Sequence, residues 1–351
     1  MSLPTKTQQW ILNEKPYSEA VLEGDNPTFK LVTTDIPALK DGEVLLKTVY
    51  LSNDPAQRGW ISPYAIPGRL YMPPVEVGDV MKSIGIFRVV DSRSAAVEVG
   101  SLVNAVSGWA EYTVIDAKDV MNITPQAGLP ETHFLGALGL PGHTAYYGLT
   151  QIAKATSEDT VVVSGAAGAV GNIAIQIAKK MIGCKKVIGI AGTDEKCRWV
   201  EKLGADVCLN YKSASYKQDL EKETSDLVNV FFDNVAGEIL DFMLTRMARH
   251  GRVAACGAIA NYNRDNDIIG IKNFYEVVYM RLQILGFINI DWFDHLPEVR
   301  AILVDEWKNG KLIIGDENET VVDTSFKDIP RTWMLLFSGG NTGKLITKLQ
   351  E

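Results

Sequence analysis

The chain has 351 residues, 46% hydrophobic and 22% charged, and its 35 basic and 43 acidic side chains give a net charge of −8. That balance excludes wholesale disorder and argues against a nucleic-acid partner, which needs a marked basic excess. No apolar run reaches the ~18 residues of a membrane span, and residues 1–6 lack a signal-peptide core, so a cytoplasmic chain of about two domains is expected.

Up to residue 120 the text reads as short strands: 43–50, 83–90, 97–103 with a turn, and 110–115. Glycine and proline punctuate them, most densely over 63–74, which predicts a small β-barrel-like domain. Near Leu140 the pattern changes to apolar strands alternating with helix-length segments. Residues 160–164 form a compact apolar run ahead of a glycine loop, and 170–181 carry helical spacing. A strand at 186–191 and a helix at 194–203 follow, the helix stopping at Gly204, a good residue to leave a helix on. Strands at 207–209, 227–232, 252–256 and 282–288 complete an alternating series. Such alternation predicts a doubly wound parallel sheet, an α/β fold. A helix over 298–308 closes on Asn309-Gly310, and the tail shows strand text at 320–323 and 343–348. The expected division is a substrate domain at 1–135, a nucleotide-binding domain at 136–310, and a return of 311–351 to the first.

Ser164-Gly165-Ala166-Ala167-Gly168-Ala169-Val170-Gly171 lies between a strand and a helix. A tight glycine turn of this kind lets backbone N–H groups approach a pyrophosphate at a helix N-terminus. Ala166 stands where a GxGxxG pattern has its first glycine, and no Lys-Ser/Thr follows, so a triphosphate loop is excluded. An NAD site places an acid at the end of the second strand to hold the ribose 2′-hydroxyl. Here Ile190-Ala191 runs into Gly192 and Thr193, small residues that leave room for a phosphate. Lys196, one turn into the next helix, and Tyr211-Lys212 beyond the third strand supply charge and a hydroxyl. NADP(H) is the expected cofactor; Asp194 reads either as a helix-capping acid or as a ribose ligand.

Metal is not expected. The four cysteines, Cys184, Cys197, Cys208 and Cys256, form no CxxC pair, and His133, His143, His250 and His295 are scattered. Four cysteines in so long a chain make no disulfide scaffold.

Eight motifs in order carry a resemblance over nearly the full length. They are Leu51-Ser52-Asn53-Asp54-Pro55 with Arg58, Leu140-Pro141-Gly142 with Thr144-Ala145-Tyr146, and Ala166-Ala167-Gly168-Ala169-Val170-Gly171. Asp194-Glu195-Lys196, Asn210-Tyr211-Lys212 and Phe232-Asp233-Asn234-Val235 follow. The last two are Cys256-Gly257-Ala258-Ile259-Ala260-Asn261-Tyr262-Asn263 and Gly340-Asn341-Thr342-Gly343-Lys344. The chain resembles the zinc-independent medium-chain dehydrogenase/reductases, and within them the prostaglandin reductases (leukotriene B4 12-hydroxydehydrogenases) and the NADPH-dependent alkenal double-bond reductases. Zinc-dependent relatives carry cysteine and Gly-His-Glu ligands in the first domain. Here no cysteine precedes Cys184 and no Gly-His-Glu occurs.

The resemblance implies a GroES-like barrel with a Rossmann domain, and reduction of the C=C bond of α,β-unsaturated ketones and aldehydes. It implies that Gly168, Ala169, Val170 and Gly171 hold the pyrophosphate, and that Lys196 and Tyr211, beside Gly192 and Thr193, bind the 2′-phosphate. Asn234, Cys256, Gly257, Ala258, Ile259, Phe287, Ile288, Asn289 and Asn341 line the path to the nicotinamide. Tyr262 matches the tyrosine at the reacting centre, stabilising or protonating an enolate. Asn53, Pro55 and Tyr64 are candidate substrate residues, with Trp60 and Trp292 as further candidate walls. Ala56-Gln57 replaces the usual larger aromatic–Met pair, so a differently shaped pocket is expected. The partners are a small-molecule enone or enal and, by carry-over from relatives, a second copy in a homodimer. The alternatives are a zinc-free quinone reductase of the same fold and a weakly catalytic nucleotide-binding protein.

Overall fold

A computed structural model describes residues 3–265 and 267–350. The chain divides into two compact units: one runs to residue 135 and includes 320–340 and the stretch from 345 on, the other comprises 136–319 and 341–344.

The first unit is built on Glu43–Ser52, which pairs antiparallel with Lys82–Ser92, Tyr112–Asp116 and Lys344–Leu349. Leu102–Gly108 and Val120–Asn122 extend the sheet at one end, and Glu319–Thr324 closes the other. A separate ribbon joins Lys6–Leu12 to Phe29–Asp35. The tail also contributes the helix Ile329–Ser338, opened by Pro330 in its first turn, where a missing N–H costs nothing. Its Trp333 meets Phe29 and Trp109 with ring centroids 5.9 Å away in each case, an edge-on aromatic core. This strand-rich unit is the GroES-like domain.

In the second unit six parallel strands stand in the order Val207–Asn210, Lys186–Ala191, Thr160–Val163, Val228–Asp233, Met247–Ala255, Gln283–Gly286. In chain order this is 3-2-1-4-5-6, the doubly wound arrangement. Thr160–Val163 is buried along its whole length because helices cover both faces, hence its unbroken apolar text. The order reverses between Thr160–Val163 and Val228–Asp233. Ligands of such sheets bind beyond the carboxyl ends of the strands at that reversal.

Three boundaries differ from expectation. The helix expected at 170–181 is Ala169–Gln176, continued by a wider-wound stretch Ile177–Ile182 that ends on left-handed Gly183. Met247–Ala255 starts well before residue 252, and its pairing with Val228–Asp233 shifts register between Val228 and Val230. The second unit extends past residue 310 to 319. Gln176 fastens that segment, its Nε2 donating to Ile313 O at 3.0 Å and its Oε1 accepting from Ile313 N at 2.7 Å. Asn318 Nδ2 donates to Asn172 Oδ1 at 3.0 Å.

Candidate active site

The glycine loop leaves Thr160–Val163 through Ser164 and Gly165, whose φ of +59° is left-handed. Gly168 precedes the helix Ala169–Gln176 and donates its N–H to Gly165 O at 2.9 Å. The first-turn N–H groups of a helix have no partner within it, and here no side chain caps them. That makes the turn an anion cradle. A Cβ on Gly171 would stand 2.2 Å from Gly165 O, so only glycine lets helix and loop approach this closely. We expect Gly171→Ala to lower the unfolding free energy by about 1–3 kcal/mol as overpacking, measured by denaturant titration, and to weaken cofactor binding with it. Residues 341–344 return to the same loop: Gly343 N donates to Ala167 O at 2.8 Å, and Asn341 Nδ2 to Gly343 O at 2.8 Å.

The adenosine end gathers Gly192, Thr193, Lys196, Tyr211 and Lys212. Thr193 caps the helix Asp194–Leu203, its side chain accepting from Lys196 N. Asp194 accepts from Asn210 Nδ2 at 2.7 Å and so ties two segments together. A Cβ on Gly192 would lie 3.1 Å from the Tyr211 ring, so glycine lets that ring settle against the turn. Lys212 Nζ stands 5.8 Å from the Tyr211 ring centroid. Burial lowers the Lys196 pKa, and the neighbouring Lys212 charge lowers it further. Two cations facing one turn suit a phosphate dianion, so these residues fit NADP(H).

The reacting end is organised by Asp233, a buried carboxylate at the sheet reversal. Its Oδ1 accepts from Ser164 Oγ at 2.7 Å and from Val235 N and Ala236 N at 3.0 Å each. Burial raises its pKa, and these donors partly restore it. Its backbone oxygen accepts from Cys256 N and Gly257 N at 2.8 and 3.1 Å. Asn234 Nδ2 donates to Ser164 O at 2.7 Å. Three strand ends are thus tied around Asp233, a role visible beforehand only as part of a motif. Burial pushes the Cys256 thiol up to about 12, with the Asp233 charge adding to it. Tyr262 follows the short turn Ile259–Asn261, and its hydroxyl oxygen accepts from Ala258 N at 3.3 Å. Burial raises its pKa; the Ala258 N–H works the other way. A phenol with a raised pKa stays protonated at neutral pH and keeps its O–H to donate.

Phe287 packs edge-on against Phe232 and Tyr147. Asn289 Nδ2 donates to Thr144 Oγ1 at 2.8 Å, so its amide serves the helix Leu140–Tyr147. Trp292 stacks on Tyr147, with ring centroids 4.9 Å apart, and on His295 at 4.4 Å.

Asn53, Pro55 and Tyr64 belong to the first unit. Asn53 is buried and donates to Thr347 Oγ1 at 3.0 Å. Gln57, expected to reshape the pocket, is turned inward: it accepts from Asp54 N at 2.8 Å and donates to Lys82 O at 2.9 Å. Trp60 is core and donates to Tyr71 Oη at 2.7 Å. Tyr64 is exposed.

Residues 8–123 match the family described as N-terminal domain of oxidoreductase, and 169–305 the family described as zinc-binding dehydrogenase. Among the described residues no group of three or more His, Cys, Asp or Glu is placed to hold a metal. Prostaglandin reductase 1 of Bos taurus is 36% identical over 326 residues, 92% of this chain and 94% of that protein. NADPH-dependent curcumin reductase of Escherichia coli (strain K12) is 31% identical over 350 residues, 98% of this chain and 97% of that protein. The structure of CurA in complex with NADPH from Vibrio vulnificus superposes with a TM-score of 0.86 at 32% identity, covering 98% of this chain and 99% of that one.

Proposed function

The chain belongs to the medium-chain dehydrogenase/reductase family, as an NADP(H)-dependent oxidoreductase acting on carbon–carbon double bonds, and on that premise we propose that its substrates are α,β-unsaturated ketones and aldehydes. The observation that carries this reading is the Tyr262 phenol, kept protonated by burial beside the strand ends that Asp233 ties together.

When bound, NADPH would supply a hydride to the β-carbon of the enone. Charge would gather on the carbonyl oxygen as an enolate, and a proton taken up at the α-carbon would complete the saturated product. A neutral donor aimed at that oxygen binds the transition state more strongly than the substrate, and Tyr262 is that donor. Gly168, Ala169, Val170 and Gly171 hold the pyrophosphate, while Gly192, Thr193, Lys196 and Tyr211 hold the 2′-phosphate. Asn234, the 256–259 and 287–289 segments and Asn341 line the way to the nicotinamide; Asn53, Pro55 and Tyr64 serve the substrate.

The working form is a homodimer in the cytosol. Its support lies at the sheet end, where among the described residues Gln283–Gly286 pairs with Met247–Ala255 alone and leaves a row of backbone groups for another chain. The helix Tyr275–Tyr279 presents Tyr275, Val278 and Tyr279 to solvent, with Phe274 just before it. Light scattering should give twice the 38.6 kDa chain mass. The Val278→Asp, Tyr279→Asp double variant should fall to the mass of a single chain.

The substrate reading is tested by NADPH absorbance loss with a medium-chain enone, beside NADH and a simple quinone, with product identification. NADPH-selective turnover giving the saturated ketone is expected. Turnover with the quinone alone would overturn the reading.

A further inference from the structure

The strand Gln283–Gly286 runs out into residues 287–289, which are half-buried between the exposed Gly286 and Ile290. Ligands of a parallel sheet bind beyond the carboxyl ends of its strands, and this segment lies there. The helix Leu140–Tyr147, in the same unit, fixes it. Phe287 meets the Tyr147 ring edge-on at 5.6 Å and the Phe232 ring at 6.1 Å. A Cβ on Gly148 would stand 2.5 Å from the Phe232 ring and 2.6 Å from the Phe287 ring, so only glycine at the helix end admits both. Phe232 directly precedes Asp233, so this packing seats the segment against the strand that ends at the sheet reversal.

Thr144 sets how Asn289 sits. Its hydroxyl donates to Leu140 O at 2.7 Å, which uses its single proton. Toward Asn289 it can only accept, and Asn289 Nδ2 donates to it at 2.8 Å. The same nitrogen approaches Leu140 O at 3.4 Å. The nitrogen end of the amide is thereby spent on the helix, while its oxygen takes no hydrogen bond among the described residues. An amide fastened by its nitrogen presents its oxygen in one orientation, as an acceptor. The part of NADP(H) that carries N–H groups at its reacting end is the carboxamide of the nicotinamide.

We propose that Asn289 accepts a hydrogen bond from the nicotinamide carboxamide through its amide oxygen, and that Thr144 is the positioning residue that holds the amide in that orientation. This rests on the reading above in which residues 287–289 line the way to the nicotinamide; it does not depend on the substrate. Thr144 acts only through Asn289, so its loss is felt at the nicotinamide and not at the adenosine end.

The test measures Kd by calorimetry for three ligands. They are NADP+, its 3-acetylpyridine analogue, whose methyl ketone has no N–H, and 2′-phospho-ADP-ribose, which lacks the nicotinamide. The proteins are wild type, Thr144→Val, Thr144→Ser and Asn289→Ala. Wild type should bind NADP+ about three- to tenfold more tightly than the acetylpyridine analogue, the value of one hydrogen bond. Thr144→Val, close in shape but without the hydroxyl, should lose most of that preference and leave 2′-phospho-ADP-ribose unchanged. Thr144→Ser, which keeps the hydroxyl, should retain it. Asn289→Ala should lose it too, and it decides if Thr144→Val fails to fold. A preference unchanged in Asn289→Ala overturns the proposal. If Asn289→Ala loses the preference and Thr144→Val keeps it, Asn289 stands as a ligand and Thr144 is dropped. Equal losses for NADP+ and 2′-phospho-ADP-ribose in Thr144→Val would show that the threonine only supports the helix, and would overturn its positioning role. If wild type binds both dinucleotides equally, the proposal falls before any variant is made; if it also binds NADP+ no more tightly than 2′-phospho-ADP-ribose, the reading of 287–289 falls with it. No enone enters these measurements, so a failure of the substrate reading shows separately, in the turnover assay.

Discussion

Tyr262→Phe should lower kcat for an enone by about 10²–10³, or ~2.7–4 kcal/mol, the loss typical of removing one oxyanion donor. The substitution deletes a single oxygen from a ring that stays in place. That oxygen also accepts the Ala258 N–H at 3.3 Å, a long and weak bond, so the cost to folding is small beside the cost to turnover. Cofactor affinity, read by fluorescence titration, should change far less than kcat. The pH dependence has a definite sign. A phenol donates only while protonated, and burial raises the Tyr262 pKa above its ordinary value of about 10. Turnover should therefore hold through neutral and mildly alkaline pH and fall only as pH rises through that raised value. An alkaline loss centred near pH 8 in wild type, absent in the phenylalanine variant, would place the titrating donor there and contradict this account.

Lys196→Ala should raise KM for NADPH about 10–150-fold, equivalent to a charge-assisted hydrogen bond of ~1.5–3 kcal/mol, and change KM for NADH little. The lysine stands in the first turn of a helix whose cap, Thr193, follows Gly192 at the strand end. Burial lowers its pKa and the neighbouring Lys212 charge adds to this, a repulsion that a phosphate dianion would relieve. Lys212→Ala should weaken NADPH by a smaller factor. Added salt should weaken NADPH more than NADH, because the discriminating contact is a charge. As pH rises the Lys196 cation is lost. Because its pKa is lowered, NADPH selectivity should start to fade below the ordinary lysine value of ~10.4. Equal losses for both cofactors in Lys196→Ala would show that the lysine supports the helix and not the phosphate.

Much of this arrangement is legible in the sequence, and particular residues explain why. The strand Lys186–Ala191 and the helix Asp194–Leu203 fall where expected because local chemistry punctuates them: Thr193 caps the helix and Gly204 releases it. The glycine loop was legible for the same reason, since the close approach of Gly171 to Gly165 O admits no Cβ. The tail was half legible. Its strands at Glu319–Thr324 and Lys344–Leu349 show in the short apolar runs Val321-Val322 and Leu345-Ile346, but the helix Ile329–Ser338 between them is not among the expected elements, although Pro330 opens it. The helix Tyr216–Glu223 was missed as well; of its eight residues only Tyr216 and Leu220 are buried, too few to show a stripe. Asp233 and Ser164 are 69 residues apart, and their hydrogen bond exists only because the sheet order reverses between the strands that carry them. Arg58 donates to the backbone carbonyls of Pro16 and Ser18, contacts that no residue identity announces.

The most direct test of the central claim follows the hydride itself. Wild-type enzyme would be run with NADPH carrying deuterium at the transferable C4 position and an enone, and the product examined by NMR and mass spectrometry. The account predicts a saturated ketone with one deuterium on the β-carbon and none on the carbonyl carbon. Deuterium on the carbinol carbon of an unsaturated alcohol would mean carbonyl reduction, and would contradict the assignment of Tyr262 to an enolate.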